Sequence, residues 1–435
     1  MRIKRIIPLL CMWMVSCVCV VSLFSEELSL DVDSAVRMAL ENNFNIKKEQ
    51  LNLSQKERAK NTSWNYLMPS VTATTSLARS YSSAIDSNIW SESVGFSAAL
   101  NLNAALVYGM RQNVLNYEAG VLTLETAKRG LARDIKKAFY NLLVLQENMR
   151  ITKLSLDNAE KLYLQAQVNY ENGRASRYTM LTARVSWENM KPSYLEMENA
   201  FRLAMDSFKQ TLGLSFDTNV TITGNIEAAD LKFDEKELIS KYLGNRLDVQ
   251  MQRKSIEILE NSLKASRALL TPSLTLQYSK TTLSMKMPDV AWSEWSDTPG
   301  TFSLILAFPL DNLIPGSAER NTIKNTEDQI KQAELALDQT IKSAELNISS
   351  LVKSVEKARS SLDALNLSVE LAEEAYKLAE EAYNAGTKEL LDVQSAELAL
   401  QRARLQVLSG KYTYVSGLLD LEYAINEQLT DSGVR

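Results

Sequence analysis

The chain carries one pattern twice, which restricts it to folds built from two similar halves. Tyr170-Glu171-Asn172-Gly173 is followed by Ala183, and Tyr383-Asn384-Ala385-Gly386 by Ala396 at the same spacing. Three more landmarks recur in order: Asn43-Phe44-Asn45-Ile46 with Arg246-Leu247-Asp248-Val249, Pro69-Ser70-Val71 with Pro272-Ser273-Leu274, and Gly109 with Gly316. The copies lie about 200 residues apart. A chain of 435 residues has room for two or three ordinary domains; the duplication favours one object made of two halves.

The expected organisation follows from these landmarks. Residues 26–213 form a first repeat: a helix, a strand pair over 69–103, a long helix to 172 and a helix over 175–212. A connector spans 214–232, where Val220-Thr221-Ile222-Thr223 alternates like a short strand. Residues 233–435 form the second repeat: a helix, a strand pair over 272–310, a long helix over 317–385 and a helix over 388–428. The opening helix of the first copy is expected as one piece from Ser34 to Tyr66, and Pro192 is expected to kink the helix that carries it.

Residues 1–25 stand apart. Arg2, Lys4 and Arg5 precede an uncharged run from Ile6 to Phe24, the layout of a secretory signal peptide cut after Ser25. The run is long enough for an uncleaved anchor. Met14-Val15-Ser16-Cys17 also resembles a lipoprotein box with Cys17 as the lipidated residue, although the apolar run continues past it. All three cysteines, Cys11, Cys17 and Cys19, lie in this leader, so the exported chain carries no disulfide framework. Losing three cations takes the formal charge from −5 to −8, which argues against nucleic acid as a partner.

The long helices declare their packing. Stepping four and three from Leu337 meets Ile341, Ala344, Ile348, Leu351, Val355, Ala358, Leu362, Leu365, Val369, Ala372, Tyr376, Ala379 and Tyr383. None is charged, so this is a heptad seam. The first copy runs from Leu131 through Ile135, Leu142 and Leu156 to Tyr163 and Tyr170, broken only by Thr152. A plain two-stranded coiled coil is one reading. A second stripe, Leu371, Ala375, Leu378, Ala382 and Ala385, gives the same helix two neighbours, and helices with two flanking contacts close into a tube. A helix of almost 70 residues without proline or glycine is about 100 Å long.

The strand pairs alternate. Phe302, Leu304, Leu306 and Phe308 oppose Ser303, Ile305 and Ala307, and Leu274, Leu276 and Tyr278 oppose Thr275, Gln277 and Ser279. Strands of about ten residues with one apolar face fit a transmembrane barrel wall; a soluble hairpin with one face on a core alternates in the same way. Four strands cannot close a barrel, since known ones begin at about eight, so a membrane reading requires several chains. Trp90, Trp292 and Trp295 are expected in hairpin loops, and Trp64 and Tyr66 before the first strand, where interfacial aromatics sit.

At this point the chain resembles the TolC-like outer membrane efflux protein family. The residues that carry the likeness are Leu28 to Asn43, Met68-Pro69, Pro272, Pro309-Leu310-Asp311 and the two tyrosine-to-glycine turns. One departure is that the family often has proline where Phe44 and Leu247 stand. The resemblance implies a mainly α fold with a small β part: a helical α-barrel tube in the periplasm, and four transmembrane strands per chain in one twelve-stranded β-barrel shared by a homotrimer. It places Gly173, Gly386, Asn172 and Ala385 at the tip, where a periplasmic adaptor of an inner-membrane pump docks. It implies a pore gate at Asp392, Lys388 and Tyr383, with Thr179 and Tyr170 in the matching positions of the first copy and Ser395 where a second acid is expected. Asp392 also reads as an early-helix carboxylate favoured by the helix dipole.

The implied function is a passive exit duct in the outer membrane, in contact with its lipid, for efflux or type I secretion. A structural or adhesive envelope protein of the same fold is the alternative. Enzymatic chemistry has little to work with: there is no histidine, no cysteine beyond the leader and no phosphate-cradling glycine loop. No cofactor or metal is implied.

Overall fold

The computed structural model describes residues 28–82, 87–227, 231, 233–285, 296–430 and 433–434. Cys17 and the leader lie outside these residues, as do Trp292 and Trp295. In chain order the elements are β1 (Leu28–Leu30), α1 (Val32–Asn42), α2 (Phe44–Asn61), β2 (Ser70–Ser82), β3 (Ser87–Leu102), α3 (Ala105–Glu171), α4 (Arg177–Leu212), β4 (Val220–Ile222), α5 (Glu235–Tyr242), α6 (Leu247–Ala268), β5 (Ser273–Met285), β6 (Ser296–Asp297), β7 (Thr301–Ala307), α7 (Ala318–Asn384) and α8 (Leu390–Ile425). A two-residue hairpin, β8 (Leu429–Thr430) with β9 (Gly433–Val434), follows.

The duplication is exact in the lengths of the two longest helix pairs and looser in the others, 11 against 8 residues for α1 and α5 and 18 against 22 for α2 and α6. The long helices α3 and α7 have 67 residues each, and α4 and α8 have 36 each. Towards the turns the wall runs α4, α3, α8, α7; towards the strands it runs α2, α3, α6, α7. Each long helix is thus flanked by shorter ones. The seams explain why. Ile135, Leu142, Leu156, Ala159 and Ala166 of α3 are buried, as are Ala344, Ile348, Val355, Leu362 and Ala379 of α7. Leu371 and Leu378, on the second stripe of α7, are more than half exposed, and so are Val185 and Leu203 of α4. Both edges of the wall therefore present largely exposed apolar residues among the described ones.

The opening helix is two pieces rather than one. Asn43 leaves the helical region (φ −60°, ψ 130°), and its Oδ1 accepts the backbone N–H groups of Asn45 and Ile46 at 2.9 and 3.3 Å. Its Nδ2 donates to the Thr211 carbonyl at 2.9 Å. A capping side chain thus makes the break. Arg246, before α6, takes the same backbone geometry (φ −61°, ψ 136°) and is held by Asp248 at 2.8 Å. Ahead of α1, Leu28–Leu30 is not helical; it pairs in parallel with Val220–Ile222 of the connector. Pro192 sits inside the continuous helix α4.

The main sheet has the order β2-β3-β5-β7, antiparallel throughout, with β6 on β5. Register puts Val71, Phe96, Ala98, Leu100, Leu276, Tyr278, Leu304 and Leu306 on one face. The other face is hydroxyl-rich, with cross-strand bonds Thr72–Ser97 (3.1 Å), Ser76–Ser93 (2.7 Å) and Thr275–Asn101 (2.7 Å). Trp90 is a strand residue, not a loop residue: it pairs with Arg79, whose guanidinium lies 5.4 Å from its ring centroid. Among the described residues no helix is long and apolar enough to cross a membrane.

Candidate functional site at the doubled turn

The two tyrosine-to-glycine turns share one backbone solution. Gly173 N–H bonds the Tyr170 carbonyl and Arg174 N–H the Asn169 carbonyl, at 2.9 and 2.7 Å. Gly386 N–H bonds Tyr383 and Thr387 N–H bonds Ala382, both at 2.9 Å. This pair of bonds is the Schellman helix stop, which needs a left-handed residue; the glycines have φ of 71° and 77°. A Cβ at either would meet nothing within 4 Å. Gly173→Ala and Gly386→Ala should therefore each cost only left-handed strain, about 1 kcal/mol. Amide exchange in the turn should rise about fivefold. Gly213→Ala should cost more, because its Cβ would sit 2.8 Å from the Asn42 carbonyl oxygen.

The helices leaving the turns begin alike in geometry and differ in charge. Ser176 caps α4, its Oγ accepting Thr179 N–H at 3.1 Å and lying 3.0 Å from Thr179 Oγ1. Glu389 and Asp392 cap α8 reciprocally, with Glu389 N–H on Asp392 Oδ2 at 3.2 Å. Thr179 and Asp392 thus occupy the same capping position, and each closes its own turn. Around it the first turn carries Arg174 and Arg177, and the second carries Lys388, Glu389 and Asp392.

The other residues implicated by sequence divide by exposure. Asn172, Ala385, Lys388, Asp392 and Tyr170 are exposed. Tyr383 packs with Tyr163 and Tyr376 against Ala166, Ala183, Ala379 and Val393, a small core joining all four helices at this end. Tyr163 stacks on Trp187 at 5.4 Å and 11°. Gln165 of α3 donates to Asn384 at 3.2 Å, tying the two repeats together beside the turns.

One residue of this region was missed in the sequence. Glu397, about two turns into α8, is only 7 % exposed. Burial and the charge of Glu380 hold its carboxyl above the usual range, against the pull of a hydrogen bond from Asn158. Tyr376 beside it is pushed up to about 12 by burial, Glu397 and Glu380. The signal was present, since Leu390, Val393, Glu397 and Leu400 form an apolar row interrupted by one carboxylate.

Comparisons with known proteins agree with this architecture. The profile of the family described as outer membrane efflux protein matches residues 35–214 and again 238–427, once per repeat. A curated relative, the protease secretion protein PrtF of Dickeya chrysanthemi, is 23 % identical over 257 residues, 58 % of this chain. The chain spans about half the length of that relative, 50 %. The Campylobacter jejuni CmeC outer membrane channel superposes with a TM-score of 0.77 at 16 % identity, covering 91 % of this chain and 85 % of that one. CusC superposes with a TM-score of 0.76 at 16 % identity, covering 91 % of both chains.

Proposed function

The chain belongs to the outer membrane efflux protein family and resides in the outer membrane, and from that premise we propose that three copies form a gated exit duct. One observation carries the reading. Among the described residues the chain is an open arc at both levels: a wall of helices with apolar residues on both edges, and a sheet whose outer strands β2 and β7 are each paired on one side only. A bilayer tolerates no open sheet edge. Further copies close both arcs at once, giving one shared barrel and one tube about 100 Å long. The apolar sheet face meets lipid, and the hydroxyl face lines the passage.

The duct supplies a path, and an inner-membrane pump with its adaptor supplies the energy. The adaptor docks on the turns at Gly173 and Gly386. The relationship to a protease secretion protein supports export of a large cargo, with small-molecule efflux as the other use of the same passage. At the tip, copies of Asp392 around the axis attract cations and repel one another, while Thr179 carries no charge.

Because Asp392 also caps α8, Asp392→Ala would disturb both gate and cap. Asp392→Asn keeps an acceptor and removes the charge. In planar bilayers wild-type trimers should show stepwise conductance, and Asp392→Asn should lower their preference for cations. A trimer that passes no current, even after its tip is disrupted, would establish the non-conducting envelope protein instead.

A further inference from the structure

Glu397 plays no part in the turn or in the capping that closes it. It lies where α8 meets α3 and α7, the contact that holds the two helical hairpins together near the tip. From α3 it is met by the uncharged amide of Asn158, and from α7 by Tyr376 and Glu380. Lys161 of α3 and Lys377 of α7 are exposed. Arg404, two turns further along α8, is held by Glu373 at 3.1 Å. Among the described residues, Glu397 Oε1 has no hydrogen-bond partner. Glu422, another carboxyl that burial pushes up, differs: its Oε1 accepts Leu429 N–H at 3.0 Å.

A buried carboxylate with an unmet oxygen and a like charge nearby is costly when ionised and far less so when neutral. We propose that Glu397 is a proton-operated latch between the two hairpins: protonated, it lets α8 close on α3 and α7, and ionised, it drives that contact to loosen and admit water. The direction follows from linkage. The packed state holds the proton more tightly than the loosened one. Packing is therefore favoured most below the ordinary carboxyl value of 4.5. It weakens as pH rises from there through the raised value, and is level beyond it. On the duct reading, on which only this last consequence rests, acid in the surrounding medium holds the tip shut.

Hydrogen exchange of 390–400 in α8 and 152–166 in α3, corrected for intrinsic rates and followed from pH 4 to 8 on reconstituted full-length protein, tests the latch. Wild-type protection should fall as pH rises, by at most about tenfold per unit. Glu397→Gln, neutral at every pH, should stay protected throughout. Glu380→Gln removes the like charge from an exposed position and should move the wild-type transition to lower pH; it also keeps the test decisive if Glu397→Gln fails to assemble. Protection in Glu397→Gln that tracks the wild type, or a transition unmoved in Glu380→Gln, overturns the latch. Conductance measured on the same samples separates the two readings. A pH-switched contact without current leaves the latch standing and removes the duct. Current whose pH dependence is the same in Glu397→Gln removes the latch and leaves the duct.

Discussion

Leu276→Arg should abolish accumulation of the assembled protein in the outer membrane, whereas Gln277→Arg, one residue along the same strand, should leave it close to wild type. Leu276 sits in the middle of the apolar face, opposite Leu100 on β3 and Leu304 on β7. On β5 the apolar residues of this face are Leu274, Leu276 and Tyr278, bounded by Lys280 about 20 Å from Leu274 at the rise of a strand. That fits a lipid-facing band about 25 Å tall. Charges follow on the same face at successive levels: Lys280, opposite Phe96 and bridged to Asp297 at 3.2 Å, then Glu92 opposite Leu77, then Arg79 opposite Trp90. Arginine at the midplane of such a band costs about 2–4 kcal/mol, and a shared barrel incurs it once per copy at the same depth. Gln277 faces the hydroxyl side, where charge meets water. Outer-membrane fractions compared for heat-resistant oligomer decide it. Equal yields of the two variants would mean that the apolar face is not in lipid.

Much of the architecture was legible because the repeating unit is long. A four-three seam sustained over twelve or more positions leaves few alternatives, and its members Ile135, Leu142, Ile348, Val355 and Leu362 are fully buried. The second stripe was legible for the same reason, although Leu371 and Leu378 are more than half exposed in one chain. What escaped was local. The break at Asn43 is made by two side-chain hydrogen bonds, which leave no periodic trace, so the apolar pattern reads straight through it. Trp90 reads as a loop residue because its neighbours are small and polar. On a strand with a hydroxyl-lined face, small polar residues are the rule.

At the turns the sequence showed the glycines and the charge difference, but not what the charged position does. Thr179 and Asp392 sit three residues after a capping residue, and each donates its backbone N–H to that residue's side chain. Asymmetry between the two turns is therefore an electrostatic difference laid over one shared backbone geometry. Glu397 is the opposite case: its position in an apolar row was readable, but its consequence depends on α3 and α7 arriving beside it, which is a tertiary fact.

The largest effect on stability should come from the knot that joins the repeats. Phe139 of α3 is 1 % exposed. Its ring lies 6.3 Å from Phe208 of α4 and 6.1 Å, edge-on, from Tyr140. It also backs onto the connector: a Cβ at Gly224 would touch it at 3.4 Å. The same core takes Val220 and Ile222 from the connector and Leu362, Tyr414 and Leu419 from the second repeat. Phe139→Ala removes a ring that packs against these elements, and it should cost about 3–5 kcal/mol. Phe139→Leu, which refills most of the space, should cost less than about 1.5 kcal/mol. The corresponding position of the second repeat is Val352, equally buried but in the separate cluster with Leu238 and Ile425. Val352→Ala deletes far less volume than Phe139→Ala, though more than Phe139→Leu, and touches no connector residue of that core, so its effect should fall between those of the two Phe139 variants. Denaturant midpoints of the three variants, read by exchange in the connector and in α5 separately, check this order. Were Val352→Ala to match Phe139→Ala, the halves would be equivalent in packing as well as in backbone, and the knot would not be where the repeats are joined.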